Sequence, residues 1–519
     1  MSQVEVILVL MTCAVALAWA AERLKLPYPV PLTLGGLALG FVPGLPELEF
    51  DPAWLLPIVL PPILYQAAIF TSWRDFKRHL RSISMLAVGL VIVTTLAIAA
   101  TAKAILPELP WAACFVLGAV LSPPDAVAAT AVLSRLKVPR RVVTILEGES
   151  LVNDATGLVL YKFAVAAALT GAFSLAEATA TFVGVAAGGL AIGAALGWAA
   201  VWAYRHMGDS QIELLLSLVL PYAAYLAAEH VHASGVLAVV ALGLMRGWHA
   251  PEVFSAETRV QAHAMWGVVV FALNGLIFIL IGLQLPAALD SVTDWTRFAL
   301  QVGAISLTAI LVRMAWVFPG AFLPRLLSRH VRETEPKPSK REVTIVGWCG
   351  MRGIVSLAAV LAVPLLTGAG EPFPGRQTLI LLTFATIVVT LVLNGLTLAP
   401  LIRFLGVGAD AHAEEEERLA RLKINHAALA ALDSLSGEGT QSPAAIAAVR
   451  LEYQQQARRA EALDPTTGGE AGTVRAVRMA AVAAARRRLV KLRREGQIGD
   501  EALHRIQREL DLEEWRLSH

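Results

Sequence analysis

Long apolar runs, separated by short polar connections, fill the chain up to about residue 403. A helix needs about 20 predominantly apolar residues to cross about 30 Å of hydrocarbon. Thirteen such runs lie near residues 4–20, 28–45, 53–70, 82–105, 110–134, 142–170, 174–204, 212–229, 233–247, 260–284, 295–322, 343–367 and 377–403. The pattern therefore predicts an all-α membrane protein with about thirteen transmembrane helices.

The first apolar run ends in Ala18-Trp19-Ala20, which is similar to a signal-peptidase site. Secretory signal peptides carry a positively charged segment before the apolar stretch, and no basic residue precedes this one. The pattern therefore favours a retained first helix.

Composition agrees with a membrane protein and divides the chain in two. Of the 519 residues 56% are hydrophobic and 16% are charged, whereas soluble domains carry about 25% charged residues. From Gly408 onward, 35 of 112 residues are charged, against 49 in the preceding 407. We expect a transmembrane domain over residues 1–407 and a cytoplasmic helical tail over 408–519, with a regulatory or dimer-stabilising role.

Neither the net charge nor the cysteine content indicates a binding partner or a metal site. The net charge of +2 gives no indication of nucleic-acid binding. Cys13, Cys114 and Cys349 lie in apolar segments without metal-ligand spacing, so they predict neither disulfides nor a zinc site.

Lysine and arginine placement orients the predicted spans. Connections after odd-numbered spans, with the adjoining span ends, hold 19 of these residues, and connections after even-numbered spans hold 3. Cytoplasmic loops carry such an excess. We therefore expect an extracellular N-terminus and a cytoplasmic tail in a multi-pass protein of the plasma membrane.

Two predicted spans, the fifth and the twelfth, look broken. The fifth contains LSPPDAVAA, in which Pro123 and Pro124 cannot continue the helical hydrogen bonds. The twelfth contains GWCGMRGIVSLAAVLAVP, with glycines around Arg352. Interrupted spans at corresponding places in two halves indicate a transporter site at the membrane midplane. Because the twelfth span comes seven spans after the fifth, an odd number, the two run in opposite directions, as inverted repeats require; two unrelated kinks would give the same pattern.

Charged residues inside the membrane are costly, at about 2.5–3.5 kcal/mol on insertion scales, and usually functional. Those away from the span ends are Asp125, Glu149, Asp154, Arg352 and, with a long enough eleventh span, Arg313. In GESLVNDATG, Glu149 and Asn153 are i,i+4 neighbours, as are Ser150 and Asp154. One side of the sixth span is therefore polar.

Carboxylate, hydroxyl and freed backbone oxygens suit a hard monovalent cation. Burial favours the protonated form of a carboxyl group, so a proton can compete with the cation for one site. Such competition is the minimal requirement for antiport. A cation channel or a cation-coupled symporter could use the same buried carboxylates and remains the alternative.

The residues divide by expected role. A buried Glu149 beside a buried arginine is usually a structural ion pair, whereas Asp154 and Asp125 outnumber the remaining cationic partners and point to the ion. Ser150 could serve either role. For Asn153 we favour hydrogen bonds that hold the broken helices together. Without GxSxG or HExxH motifs, the sequence does not predict an enzyme.

Several segments together resemble the monovalent cation:proton antiporter-1 family, which includes bacterial Na+/H+ antiporters and animal sodium/proton exchangers. They run in order from about residue 60 to 407 and read LSPPDAVAATAVL, EGESLVNDATGLVLYKFA, SGVLAVVALGLMRG, FALNGLIFILIGLQL, GMRGIVSLAAVLAVP and NGLTLAPLIRFLG. Each motif alone is weak, but the ordered set is highly specific.

The resemblance implies roles for individual residues. Asp154 would be shared by cation and proton, with Asp125 as the second Na+ ligand and Ser150 beside it. Arg313 would form a salt bridge with Glu149. Arg352 would serve the broken twelfth helix.

The resemblance also implies thirteen helices, a dimerisation bundle, a mobile core bundle and alternating access in a homodimer. The Asn-Asp pair on the sixth span implies electroneutral exchange of Na+, or of Li+ or K+, for H+. No cofactor and no organic substrate are implied. The partners expected are the lipid bilayer and a second copy of the chain.

Two positions depart from the family pattern. Pro124 stands where a threonine is frequent, so a neighbouring oxygen ligand would have to come from elsewhere, such as Thr130. Gln66 stands where many members carry an acidic residue and offers a carbonyl oxygen without the charge. Both substitutions bear on cation affinity and selectivity.

The tail is predicted to form amphipathic helices near residues 412–435, 443–463, 473–495 and 499–516. Arg486 to Arg494 could contact anionic lipid headgroups, although a solvated helical hairpin would give the same pattern.

Overall fold

Two units make up the chain, residues 1–409 and residues 410–519. The computed structural model describes residues 3–42, 52–133, 136, 138–170, 175–289, 292–334, 337–367, 370–408, 411–438, 442–462 and 481–489, with single or paired positions elsewhere between 478 and 514. These described residues form helices and no strand; an isolated β-bridge joins Leu366 to Pro372.

The first unit contains helices α1 to α18. The first nine are α1 Gln3–Arg23, α2 Pro29–Gly40, α3 Pro52–Phe70, α4 Trp73–Arg78, α5 Leu80–Ser84, α6 Val91–Ile105, α7 Trp111–Leu121, α8 Ala126–Leu133 and α9 Arg140–Thr170. A π-helical segment, Met85–Leu90, joins α5 to α6. The remaining helices are α10 Leu175–Arg205, α11 Ser210–His230, α12 Gly235–Val253, α13 Ala256–Leu289, α14 Trp295–Leu327, α15 Arg329–Thr334, α16 Lys340–Trp348, α17 Ile354–Leu361 and α18 Arg376–Leu405.

Helices lie at all thirteen predicted spans. Among the described residues, seven helices are long and apolar enough to cross a membrane, judged by length and composition: Leu80–Ile105, Arg140–Thr170, Thr179–Arg205, Ser210–His230, Glu257–Pro286, Trp295–Leu327 and Arg376–Leu405. Shorter apolar helices include Pro29–Gly40, Pro57–Phe70 and Trp111–Leu121.

The helical path stops between α7 and α8 and again between α16 and α17. Residues 122–125 form no helix, because Pro123 and Pro124 lack the N–H groups that would continue α7. Residues 349–353 also form no helix, and they include two glycines. The predicted twelfth span extends too far, since α17 ends at Leu361 ahead of Pro364 and residues 362–367 lie outside the helix.

Small residues let several helices approach closely. A Cβ at Gly36 of α2 would collide with the carbonyl of Ile279 on α13, and one at Gly282 of α13 would collide with the carbonyl of Thr33. Membrane helices commonly pack through such small residues. Between α10 and α12, Gly193 approaches the Ala238 carbonyl in the same way.

The buried side chains of the first unit form three clusters. One surrounds α2, α13 and α18, and a second joins α3 with α10 to α13 around Tyr65, Tyr204 and Trp266. The third packs α6 and α7 against α17 and α18. Helix α9 contacts α7, α8, α16 and α17, so its polar side faces both interruptions.

The second unit contains α19, Ala411–Glu438, and α20, Pro443–Ala462, which pack on each other. An ion pair of 2.6 Å joins Arg450 on α20 to Asp433 on α19. The tail helix predicted at 473–495 is described mainly at residues 481–489, which are helical, whereas the one predicted at 499–516 lies for the most part outside the described residues.

Candidate functional site

The two helix interruptions meet in the interior of the first unit. The backbone N–H of Asp125, between α7 and α8, donates a 2.7 Å hydrogen bond to the carbonyl of Met351, between α16 and α17. Interrupted helices leave backbone groups without intrahelical partners, and this bond satisfies two of them. The interruptions therefore support each other.

Arg352 closes the end of the first broken helix. Its Nε donates to the carbonyl of Leu121, the last residue of α7, at 2.6 Å, and its Nη1 donates to the carbonyl of Gly350 at 2.5 Å. The backbone N–H of Arg352 donates to Thr390 Oγ1 on α18 at 3.3 Å. A cation at a helix C-terminus is stabilised by the helix dipole, so this buried guanidinium stabilises both interruptions.

Asp125 occupies the start of the second half of each broken helix. One carboxylate oxygen accepts the N–H of Val127, in the first turn of α8, at 2.8 Å. A Cβ at Gly353, which precedes α17, would collide with the same carboxylate, so only glycine allows this approach. Helix N-termini favour negative charge, and Asp125 lies at two of them. Its other oxygen is buried without a hydrogen-bond partner among the described residues.

Asn153 links α9 to the first interruption. Its Nδ2 donates a 2.8 Å hydrogen bond to the carbonyl of Pro124. One turn along α9, a Cβ at Gly157 would lie within 2.9 Å of the Pro123 ring. Asn153 therefore joins α9 to the break between α7 and α8 by a hydrogen bond, as expected from the sequence.

Glu149 and Arg313 form the predicted ion pair. Nη1 and Nη2 of Arg313 donate to the two oxygens of Glu149 at 2.5 and 2.8 Å, and each side chain is 2% exposed. Nε and Nη2 of Arg313 also donate to the carbonyl of Val346 on α16, at 3.2 and 3.0 Å. The pair thus holds α9, α14 and α16 together.

The remaining polar side of α9 faces a cavity of about 300 Å³. Of the sequence-predicted ion ligands, the cavity is lined by Asp154, Asp125, Ser150, Gln66 and Thr130. Thr130 Oγ1 donates to the Val127 carbonyl at 3.1 Å. Asp154 is 7% exposed and forms no hydrogen bond or ion pair with any described residue, so its carboxylate is available to a ligand in the cavity.

The structure divides the four polar residues of GESLVNDATG between two environments. Glu149 is bound to α14 and Asn153 to the interruption between α7 and α8, whereas Ser150 and Asp154 line the cavity. The side of α9 that the sequence predicts to be polar therefore has one part that binds neighbouring protein and another part that faces the cavity. Their separation follows from i,i+4 spacing, which pairs Glu149 with Asn153 and Ser150 with Asp154.

Sequence reasoning missed several lining residues, notably Glu147, Asn274 and Ser356. For Glu147 a signal was present, because Glu147, Ser150 and Asp154 follow the i, i+3, i+7 spacing of one helix face. Asn274 and Ser356 carry no charge inside their apolar runs, so no sequence signal separates them from ordinary buried polar residues.

The donor set is oxygen-rich and contains three carboxylates, those of Asp125, Glu147 and Asp154. Among the described residues, no group of three or more His, Cys, Asp or Glu could hold a resident metal ion. Carboxylate, hydroxyl and amide oxygens suit hard cations. The arrangement can bind one hard cation as cargo, or protonate when the cation leaves.

Comparisons with known proteins agree on one family. The profile described as sodium/hydrogen exchanger, transmembrane, matches residues 7–404. An Na+/H+ exchanger of Mycobacterium bovis, described as uncharacterised, is 35% identical over 99% of this chain and 96% of its own length. The sodium, potassium, lithium and rubidium/H+ antiporter of Bacillus subtilis is 34% identical over 75% of this chain and 60% of its own length.

A solved structure shares the fold. The sodium proton antiporter of Methanocaldococcus jannaschii, solved at pH 8, aligns with a TM-score of 0.58, covering 78% of this chain and 98% of its own. At 22% identity, this likeness concerns the fold alone.

Proposed function

We propose that this chain, which belongs to the sodium/hydrogen exchanger family, exchanges a monovalent cation for H+ across the plasma membrane by alternating access. One observation carries the proposal. The carboxylates of Asp154 and Asp125 line one cavity beside two interrupted helices that meet at a 2.7 Å backbone hydrogen bond. Interrupted helices around a shared site are the usual construction of ion-coupled transporters.

Asp154 is the proposed carrier of both ions. It lines the cavity and has no partner among the described residues, so cation and proton compete for its oxygens. Ser150, Gln66 and Thr130 line the same cavity and supply further oxygens. Na+ is the proposed cargo, and Li+ and K+ are the alternatives.

Asp125 supports the bound cation without exchanging its own occupant. Its charge is stabilised at the N-termini of α8 and α17, so in this proposal it stays ionised while Asp154 exchanges its occupant. With one exchanging carboxylate, one cation leaves for each proton that binds. The proposed exchange is therefore electroneutral.

The proposed architecture has thirteen spans in two inverted repeats, with α7–α8 and α16–α17 as equivalent broken helices. The excess of Lys and Arg in alternate connections supports an extracellular N-terminus and a cytoplasmic tail. A homodimer that contributes to pH homeostasis is proposed from the family resemblance. Helix α10 exposes apolar residues such as Trp198 and Trp202, which form a surface that could contact lipid or a second copy of the chain.

Exchange in vesicles tests the proposal. An imposed pH gradient, followed by dye quenching, should collapse when Na+, Li+ or K+ is added, without any organic substrate and with equal rates at zero and imposed membrane potential. Cation flux without coupled proton movement would indicate a channel. Flux that requires an added organic solute would indicate a symporter.

A further inference from the structure

We propose that Glu147 forms an outer cation-binding station in the same cavity as Asp154. A cation entering from the side on which α9 begins would bind there before it reaches Asp154. This inference rests on the exchange function proposed above.

Helix geometry places the two carboxylates in line. Glu147 and Asp154 are seven residues apart on α9, which is about two turns, about 10.5 Å along the axis and within about 20° of the same direction. Ser150 lies between them, and all three line the cavity. The three side chains therefore form an oxygen-lined path along one face of α9.

The charge of Glu147 is not neutralised by a dedicated partner. Among the described residues, Glu147 forms no hydrogen bond or ion pair. The positive charge of Arg140, seven residues earlier, attracts Glu147, but Arg140 forms its ion pair, at 3.0 Å, with Asp75. Glu149, two positions away, is by contrast bound at both oxygens by Arg313. Glu147 is thus the α9 carboxylate available to a cation ahead of Asp154.

Position along the helix makes Glu147 the first of the two that a cation meets. α9 begins at Arg140, so Glu147 lies midway between the helix start and Asp154. It is partly exposed, whereas Asp154 is buried. A cavity of about 300 Å³ has room for about ten water molecules at ~30 Å³ each. A partly hydrated cation can therefore occupy the outer station before it loses water at Asp154.

The test is the substitution Glu147→Gln, with cation-dependent exchange measured in everted and in right-side-out vesicles. A carboxylate that contacts the cation at about 4 Å contributes about 5-fold in affinity in water and more in the lower dielectric of the cavity, whereas over the distance of about 10.5 Å to Asp154 its effect in water is about 2-fold. We therefore expect the KM for Na+ to rise about 5-fold or more in the vesicle orientation in which the cation enters from the start of α9. The KM in the other orientation and the maximal rate should stay close to wild type.

Two further variants separate charge from folding. Glu147→Asp keeps the charge with one methylene less, so its KM for Na+ should stay within about 2-fold of wild type. If Glu147 had a purely structural role, both Glu147→Gln and Glu147→Asp would impair folding or exchange. Glu257→Gln removes an exposed carboxylate from the first turn of α13, away from the cavity, and should change neither KM.

An unchanged KM in both orientations for Glu147→Gln, or an equal rise in both, would overturn the outer station while wild-type exchange persists. Absence of exchange in the wild type with Na+, Li+ and K+ would instead overturn the proposed function.

Discussion

The ion pair of Glu149 and Arg313 predicts a large loss of stability when one partner is changed. Glu149→Gln keeps the side-chain shape but removes the charge that faces two guanidinium nitrogens at 2.5 and 2.8 Å. The amide keeps one acceptor oxygen, but its NH2 group faces the second guanidinium nitrogen and no negative charge compensates Arg313, whose other partner is the Val346 carbonyl. Arg313→Ala leaves the converse defect, a buried carboxylate without its bidentate donor.

The expected magnitude follows from burial. Removing one partner of a buried ion pair costs about 3–5 kcal/mol, because the other charge stays buried and uncompensated. Each of these side chains is 2% exposed, so this range applies. An exposed pair contributes about 0–1 kcal/mol, and Lys162 with Glu229 is such a pair, with 58% and 36% exposure. At 1.4 kcal/mol per tenfold, the buried variants lose more than about a hundredfold in the folded-to-unfolded ratio.

The assay is unfolding of purified protein in detergent, by heating and by denaturant titration. Glu149→Gln and Arg313→Ala should unfold far earlier than wild type, and the control Glu229→Gln should match wild type. The double variant Glu149→Gln with Arg313→Ala removes both charges, so it should be more stable than either single variant.

Wild-type stability in both single variants would refute this reasoning, since it would mean that water or another charge compensates the remaining partner. A double variant with strictly additive losses would show that the two residues stabilise the fold independently, contrary to the bidentate geometry.

Two further substitutions test the cavity. Gly353→Ala places a methyl group against the Asp125 carboxylate, so the exchange rate should fall about 100-fold while expression is retained. The control is Gly303→Ala on α14, where a Cβ meets no atom within 4 Å, and this variant should exchange cations at the wild-type rate. Gln66→Glu adds a negative charge to the cavity lining and should lower the KM for Na+. For a new carboxylate about 10 Å from the cation the decrease is about 2- to 15-fold. An unchanged or higher KM would mean that Gln66 does not lie near the bound ion.

Much of the site could be predicted from the sequence because charge in an apolar run is conspicuous. Asp125, Glu149 and Asp154 stand out for that reason, and Arg313 could be identified as the partner of Glu149 from the family resemblance. The two helix interruptions could be located because proline and clustered glycines act on the backbone locally. Such signals need no knowledge of the tertiary structure.

Other features depend on which elements come together in space. The backbone bond between Asp125 and Met351 joins residues far apart in the chain, and no local pattern indicates it. Neutral lining residues such as Asn274 look like any buried polar residue until the cavity is seen. The end of α17 at Leu361 differs from the predicted span end at residue 367, because the apolar run continues beyond the point where the helix stops.

Glu147 is an intermediate case. Its spacing from Ser150 and Asp154 is visible in the sequence, yet its position near the start of α9 resembles an ordinary helix-end charge. The cavity decides between these interpretations, because it brings Glu147 to the same space as Asp154.

The central claim, that Asp154 binds cation and proton in turn, is tested most directly by exchange in vesicles that contain Asp154→Asn beside wild type. We expect wild-type vesicles to dissipate an imposed pH gradient on addition of Na+, Li+ or K+. Vesicles with a correctly folded Asp154→Asn variant should respond no more than protein-free vesicles. Cation-dependent dissipation at the wild-type rate in Asp154→Asn would contradict the account.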